Sequence, residues 1–538
     1  MTGCDVLLIN PPFLTLTSMI GVGHQVPLGL LMVGGALLDA GVRVQLLDAE
    51  CTRMSVAEVV AGVVQRRPRI VMAGHAGSTA AHETCVEMFG AIKAARPGTI
   101  CVYGGPYPTY HAREILAEHE CVDVIVRGEG EATAVELTRA LLAYDAIDEV
   151  QSIAFRRNGR ARRQGEALAS PPPPATREAA GHVPEVVVTS ERVPLDMNDY
   201  RIGWELLDEN GSWDRYQCFG LGRAVIVQFS RGCPHHCTYC GQRGFWMQWR
   251  HRDPVALADE IEWLVRARGV RFVTLADENP TTLLEPWHLF LREVARRGLP
   301  VKFFSTIRAS DIVRDREHLD LWAAAGIQYI LMGIDGTDEA TLKAIKKGST
   351  TRVDCQACRL LREHGIYSMI ARIVGLSDER WSSFWQAAKQ VEHYDGDYLN
   401  IMYVTPHAWT EFAAESRERV VADENLAHWN YRRPVLGQRT MKPWQTFLAV
   451  KLLEFYFHNR PRRLWRLLTQ SAFSRQQLLW CTQHIGAVWV AEIFDFLRNP
   501  PRTRGRTLEE FQTAAVGECR HEERVQLRVR PSARVQHV

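Results

Sequence analysis

At 538 residues the chain is long enough for two to four domains, each able to bury a substantial core. Hydrophobic residues at 46% and charged residues at 23% are ordinary for a globular protein, and a net charge of +2 excludes a chain built as a whole to bind nucleic acid. Such a chain needs no disulfide staples, so its 13 cysteines read as thiols of a reducing, cytoplasmic protein.

The N-terminal "MTGCDVLLINPPF" lacks the basic start of a secretory signal and reads as a first strand. The apolar stretch "PLGLLMVGGALLDAG" is broken by glycines and Asp39 and is too short to span a bilayer; peripheral membrane contact is left open. Across residues 1–150, "DVLLIN", "VRVQLLDA", "RIVMAG", "TICVYGG" and "VDVIVRGEGE" alternate with helical patterns, including one that begins at Ala132. Short apolar runs between helices predict a doubly wound, Rossmann-like parallel sheet. Its ligand would sit beyond the carboxyl ends of the strands, at the loops "NPPF", "GHAGST", "GGPYPT" and "RGEGE". No G-x-G-x-x-G follows the first strand, which argues against a nicotinamide site.

Residues 151–190 read as a hairpin turning at Asn158-Gly159 and a linker stiffened by Pro171 to Pro174. Over 191–420 the strand candidates "AVIVQFS", "RFVTLAD", "KFFSTIR", "QYILMGI", "YSMIARIVG" and "YLNIMYVTP" recur between helices, which predicts a (β/α)6 partial barrel with its chemistry at the carboxyl ends. After Pro406 the pattern turns helical and aromatic, with residues 421–538 as a helical C-terminal region ending in an arginine-rich, weakly ordered tail.

"RGCPHHCTYC" places Cys233, Cys237 and Cys240 just after the first barrel strand. Zinc would need a fourth ligand, which His235 or His236 offers. A four-iron cubane takes one thiolate per iron, so three thiolates leave one iron open to a ligand, and this is the reading preferred. Tyr239 is placed to pack against that ligand. Cys355 and Cys358, at i, i+3 within an amphipathic helix, read as ordinary thiols.

Cys-x-x-x-Cys-x-aromatic-Cys at this point of a partial barrel resembles the radical S-adenosylmethionine superfamily. The resemblance implies a [4Fe-4S] cluster on the three cysteines and S-adenosylmethionine on the open iron. It further implies S-adenosylmethionine contacts from Tyr239, Asp277 and Glu278 of "LADENPT", Ser305 and Arg308 of "FFSTIRAS", Asp335 of "LMGIDGTDEATLKAIKKG", and Gly375 of "ARIVGLSDE". At Asp335 and Gly336 the usual Glu and Ser are replaced. The N-terminal motifs "NPP", "PLGL", "GGPYPT" and "RGEGE" resemble the branch that carries a cobalamin-binding domain, which implies corrinoid contacts from Ser78, Thr79, Gly104, Gly105 and Glu129. The Asp-x-His-x-x-Gly signature of an axial histidine is absent, so His75 is expected to be a loop residue.

Along most of the chain, "YRIGWELLD", "CGQRGFWMQWRHRDP" and "YVTPHAWT" resemble the anaerobic magnesium-protoporphyrin IX monomethyl ester oxidative cyclases of bacteriochlorophyll synthesis. That implies a magnesium tetrapyrrole substrate, closure of the isocyclic ring with an oxygen from water, and a low-potential electron donor. A cobalamin-dependent methyltransferase would share the same motifs. A flat apolar macrocycle with carboxyl groups wants aromatic faces and cations, expected from Phe245, Trp246, Trp249, Arg250 and Arg252, with a lid from Trp429, Tyr431, Arg432, Arg433 and Trp444.

Overall fold

The computed structural model describes residues 3–514 apart from 21, 76–77, 158–184, 209–212, 247, 337 and 470–471. Two sheets organise it. The first joins β1 (Val6–Asn10), β2 (Val44–Asp48), β3 (Ile70–Gly74), β4 (Ile100–Gly104), β5 (Val124–Val126), β6 (Ile153–Arg157) and β7 (Glu185–Val188) in the order β2-β1-β3-β4-β5-β6-β7. The first five strands are parallel, and the order reverses between β1 and β3, where this architecture leaves a ligand crevice. Alternate side chains of β1 feed opposite cores, Val6 and Leu8 on one face, Leu7 and Ile9 on the other, so helices cover both faces. The turn at Asn158-Gly159 and the proline run lie outside the described residues. On either side of them, β6 and β7 add an antiparallel edge to this sheet, with Phe155 opposite Val187.

The second sheet contains β8 (Ala224–Val227), β11 (Phe272–Leu275), β12 (Lys302–Thr306), β13 (Ile327–Asp335), β14 (Tyr367–Val374) and β15 (Tyr398–Tyr403), all parallel, in chain order from one edge to the other. This is the partial barrel expected from the strand-helix repeat. Between its first two strands a small antiparallel pair, β9 (Ser230–Arg231) and β10 (Arg250–His251), brackets the cysteine loop; nothing in the hydrophobic pattern marks strands of two residues.

The two sheets share one continuous core, which runs from Val6 and Leu8 through Ile202, Trp204 and Leu206 to Val225 and Val227. The helix Leu28–Asp39 lies so close to the joining segment that a Cβ on Gly35 would sit 2.2 Å from the Arg201 carbonyl oxygen. Glycines that looked like interruptions of an apolar run therefore permit the domain contact. "AHWNYRRPV", expected to be helical, is mostly irregular: after the short turn Leu426–His428, Trp429 folds into the core against Phe511. Regular helices follow at Pro443–His458, Pro461–Thr469 and Ala472–Arg498.

Candidate functional site

The cysteine loop leaves the carboxyl end of β8 through Gly232, whose φ of +91° belongs to the left-handed region. A Cβ there would meet the Gln248 carbonyl oxygen at 2.5 Å, so the loop closes on β10 without space for a side chain. Cys237 is buried and Cys233 and Cys240 are half-buried. Burial pushes the Cys233 thiol up to about 11, with the His235 backbone amide and the Arg308 charge pulling the other way. A metal partner would favour the thiolate form at Cys233. Among the described residues, the three sulfurs do not gather within 4.8 Å of one another. Four ligands on one tetrahedral zinc ion with Zn–S bonds of about 2.3 Å would sit about 3.8 Å apart. The wider donor set fits a cluster, and burial holds His235 neutral by pushing it down to about 4.

Several expected S-adenosylmethionine residues surround this loop, in different roles. Glu278 accepts from the Gly232 amide at 3.3 Å, and burial, reinforced by the Asp277 charge, pushes its carboxyl up to about 7. Asp277 is committed elsewhere: it accepts from the Phe229 amide at 3.1 Å, from the Ser230 amide, and from Ser230 Oγ at 2.5 Å, so it fastens the strand that launches the loop. Ser305 on β12 is fully buried and its hydroxyl has no partner, which leaves a donor for a ligand. Arg308 reaches Cys237 Sγ at 3.8 Å and donates to the Lys347 carbonyl. Asp335, at φ +51° where β13 bulges against β14, receives the Tyr239 hydroxyl at 2.6 Å and pairs with Lys347. It thus holds Tyr239 beside Cys240. Gly375, at φ +98°, has Val404 and Gln438 where its Cβ would stand.

At the first sheet, Ser78 and Thr79 open the turn Ser78–Ala81 after β3. Thr79 Oγ1 lies 2.9 Å from His407 Nδ1 of the barrel, and His407 Nε2 lies 2.8 Å from the Tyr431 hydroxyl. Burial pushes His407 down to about 3, so it is neutral. Its ring stacks on Trp409, which stacks on Tyr110, while Trp409 Nε1 donates to the Gly241 carbonyl at 2.8 Å. Gly74 and Gly104 approach so closely that a Cβ on Gly74 would meet the Gly104 oxygen at 2.6 Å, and Gly105 follows at φ +106°. The strand ends at the crevice therefore present bare backbone, a ledge on which a large ring can lie. His75 is buried with Phe13 edge-on to it.

Glu129 does not face that ledge. It binds Arg231 at 2.9 Å and is gripped by Arg250, while Glu131 binds the other arm of Arg231 at 2.5 Å. The Arg231 guanidinium also lies over the Trp246 ring at 4.7 Å. Arg231 immediately precedes Gly232 and Cys233, so the loop after β5 clamps the cysteine loop. Sequence reasoning assigned no role to Arg231, Glu131, Lys347 or His407, although each stands inside a quoted motif: "RGCPHHCTYC", "RGEGE", "LMGIDGTDEATLKAIKKG" and "YVTPHAWT".

The expected tetrapyrrole cations are also internally paired. Arg252 binds Glu260 at 2.7 Å, Arg432 binds Glu492 at 2.5 Å, and Arg433 reaches His428 and the Asn499 carbonyl. Trp249 donates to the Asn279 carbonyl at 3.0 Å. Trp429 is core, Trp444 points outward, and Phe245 and Trp246 pack edge-to-face beside the cysteine loop. Tyr431, through His407, is the one expected lid residue tied to the mouth of the site.

With this geometry in hand, the comparisons with known proteins are specific. The radical SAM superfamily model matches residues 227–391, and the B12 binding domain model matches residues 22–138. A protein of Synechocystis sp. named anaerobic magnesium-protoporphyrin IX monomethyl ester cyclase is 41% identical over 94% of this chain and 96% of its own length. The cobalamin-dependent S-adenosylmethionine radical enzyme OxsB with aqua-cobalamin bound superposes with a TM-score of 0.64 at 14% identity, over 94% of this chain and 74% of that one. The radical S-adenosylmethionine methyltransferase TsrM from Kitasatospora setae, with cobalamin and a [4Fe-4S] cluster bound, gives a TM-score of 0.59 at 18% identity, over 78% of each chain.

Proposed function

Because the chain belongs to the anaerobic magnesium-protoporphyrin IX monomethyl ester cyclase family, we infer that it closes the isocyclic ring of magnesium-protoporphyrin IX monomethyl ester without molecular oxygen, with water as the oxygen source. The product is 3,8-divinyl protochlorophyllide, on the route to bacteriochlorophyll. The observation that carries this reading is 41% identity sustained across both domains and the C-terminal helices together. Its cofactors are a [4Fe-4S] cluster, S-adenosylmethionine and cobalamin. A cluster held there would supply one electron from an external donor to S-adenosylmethionine, whose sulfonium C–S bond would break to give methionine and a 5′-deoxyadenosyl radical able to take hydrogen from the substrate side chain.

In this reading Cys233, Cys237 and Cys240 hold three irons, and Arg308 offsets the thiolate charge at Cys237. Glu278 receives the ammonium of S-adenosylmethionine, a role supported by its burial and its place against Gly232. The partnerless Ser305 hydroxyl serves the same ligand, and Tyr239, fixed by Asp335 and Lys347, walls it in. Gly375 gives the adenine a flat edge. Ser78, Thr79, Gly104 and Gly105 form the corrinoid ledge, while Asp277 and Glu129 position loops. The domain limits at 150, 190 and 420 belong to this proposal, with Ile153–Arg157 and Glu185–Val188 on the first sheet's edge. So do a low-potential electron donor and peripheral contact with a membrane.

The test is anaerobic incubation of the reconstituted protein with the magnesium porphyrin ester, S-adenosylmethionine and a reductant, followed by mass analysis of the pigment. Loss of hydrogen with gain of oxygen supports the cyclase; gain of a methyl group moves the chain to the methyltransferases and overturns the reading. Cys237→Ala is expected to abolish turnover while the corrinoid stays bound, since the two groups occupy different domains.

A further inference from the structure

The C-terminal helices carry an apolar face that catalysis leaves unexplained. Helices Trp381–Tyr394 and Pro443–His458 run side by side in the same direction: Thr440 Oγ1 donates to the Glu379 carbonyl at one end, and the Tyr456 hydroxyl donates to Glu392 at the other. Helix Ala472–Arg498 lies antiparallel on the far side, with Phe447 stacked on Phe496 at 4.1 Å and Lys451 paired with Glu492 at 2.5 Å. Phe447, Lys451, Glu492 and Phe496 turn inward between the second and third helices, and other sides of all three helices remain exposed. They expose Trp381 and Trp385 on the first helix, and Trp444, Leu448, Leu452 and Phe455 on the second. The third adds Val490, Ile493, Phe494 and Leu497. Trp385 is 64% exposed, Phe455 60% and Leu497 70%, far from the scattered single apolar residues of an ordinary surface.

We propose that this three-helix face docks on the surface of an anionic lipid bilayer. Among the described residues no helix is long and apolar enough to cross a membrane, so contact would be in the plane of the headgroups. The charges on and around the face favour that occupant. Lys389 lies over the exposed Trp385 ring and Arg498 over Phe494, while Arg439 and Lys442 stand exposed at the start of the second helix. The acidic Asp495, its side chain 54% exposed, pairs with Arg433 at 3.5 Å. Tryptophan rings with cations beside them match the boundary between acyl chains and anionic headgroups. A second copy of the chain would instead bring the same cations together across a two-fold axis. The inference deepens the proposed membrane contact and stands whether or not the cyclase chemistry does.

The experiment is co-sedimentation of the anaerobically reconstituted full chain with vesicles of phosphatidylcholine, alone or mixed with phosphatidylglycerol. Binding is expected to the mixed vesicles and to weaken as salt is raised. Leu452→Ser/Phe455→Ser/Phe494→Ser should weaken it at least about tenfold, with turnover in vesicle-free buffer unchanged. The proposal is overturned if neither vesicle carries the protein down, or if the substitutions do not alter sedimentation. It is also overturned if they act only on a dimer seen by size exclusion, or if binding appears only after residues 515–538 are deleted. Failure of the cyclase reading shows separately, in the pigment product.

Discussion

Removing the guanidinium of Arg231 tests the clamp between the two domains most directly. The side chains of Arg231, Glu129 and Glu131 are 4%, 9% and 5% exposed. Deleting one partner of a buried pair generally costs about 3–5 kcal/mol, because the other charge is left desolvated and alone. In Arg231→Ala, Glu129 keeps Arg250, so the stranded charge is Glu131 and the expected cost is at the lower end, about 3 kcal/mol. The cysteine loop should loosen with it, because Cys233 is two residues away. The assay is urea unfolding of anaerobically reconstituted protein, read with its iron and corrinoid content, for Arg231→Ala, Glu131→Leu and the double variant. The double variant should be less destabilised than the sum of the singles by at least about 1 kcal/mol, since it leaves no charge stranded. A single variant within about 0.5 kcal/mol of wild type that keeps its iron would refute the reasoning, as would simple additivity.

Gly232→Ala should lose most of its cluster iron while retaining corrinoid, because its Cβ would stand 2.5 Å from a backbone oxygen at a φ of +91°; normal iron content would show that the loop has room to give. Asp354 is pushed up to about 7 by burial from an ordinary 3.8, opposed by its bond from Ser349. Folded protein therefore binds more protons than unfolded between those values, and the group's contribution to stability is lost as pH rises from about 4 through about 7. Asp354→Asn stays neutral and should gain on wild type across that window, by on the order of 4 kcal/mol at pH 8 for the rise from 3.8 to about 7; identical pH profiles in thermal or urea unfolding would contradict this. Trp429→Ala should cost about 3–5 kcal/mol, because the ring is buried against Phe511. Trp444→Ala, with its side chain in solvent, should stay within about 0.5 kcal/mol in the same unfolding assay. Equal effects would restore the pair as a common lid.

Both sheets were legible in the amino-acid order, because an apolar run of four to eight residues bounded by helices is itself the signature of a parallel strand buried on both faces. The cluster loop was equally plain: three thiols within eight residues are neighbours whatever the rest of the chain does. Gly35 shows where that legibility stops. Along the chain it breaks an apolar helix, and in space it admits the segment at Arg201.

The charged residues mark the sharper division. Glu129, Asp277, Arg250 and Arg252 all stand beside motifs and all have the chemistry to touch a ligand, yet each is bound to another part of the protein. Local spacing decides which residues are close along the backbone and which face of an element is buried. Only the folded chain decides which distant group meets a buried charge, and a buried charge must meet one. Arg231 and Glu129, 102 residues apart, carry no mutual signal along the chain, and neither reveals its role until the two domains come together.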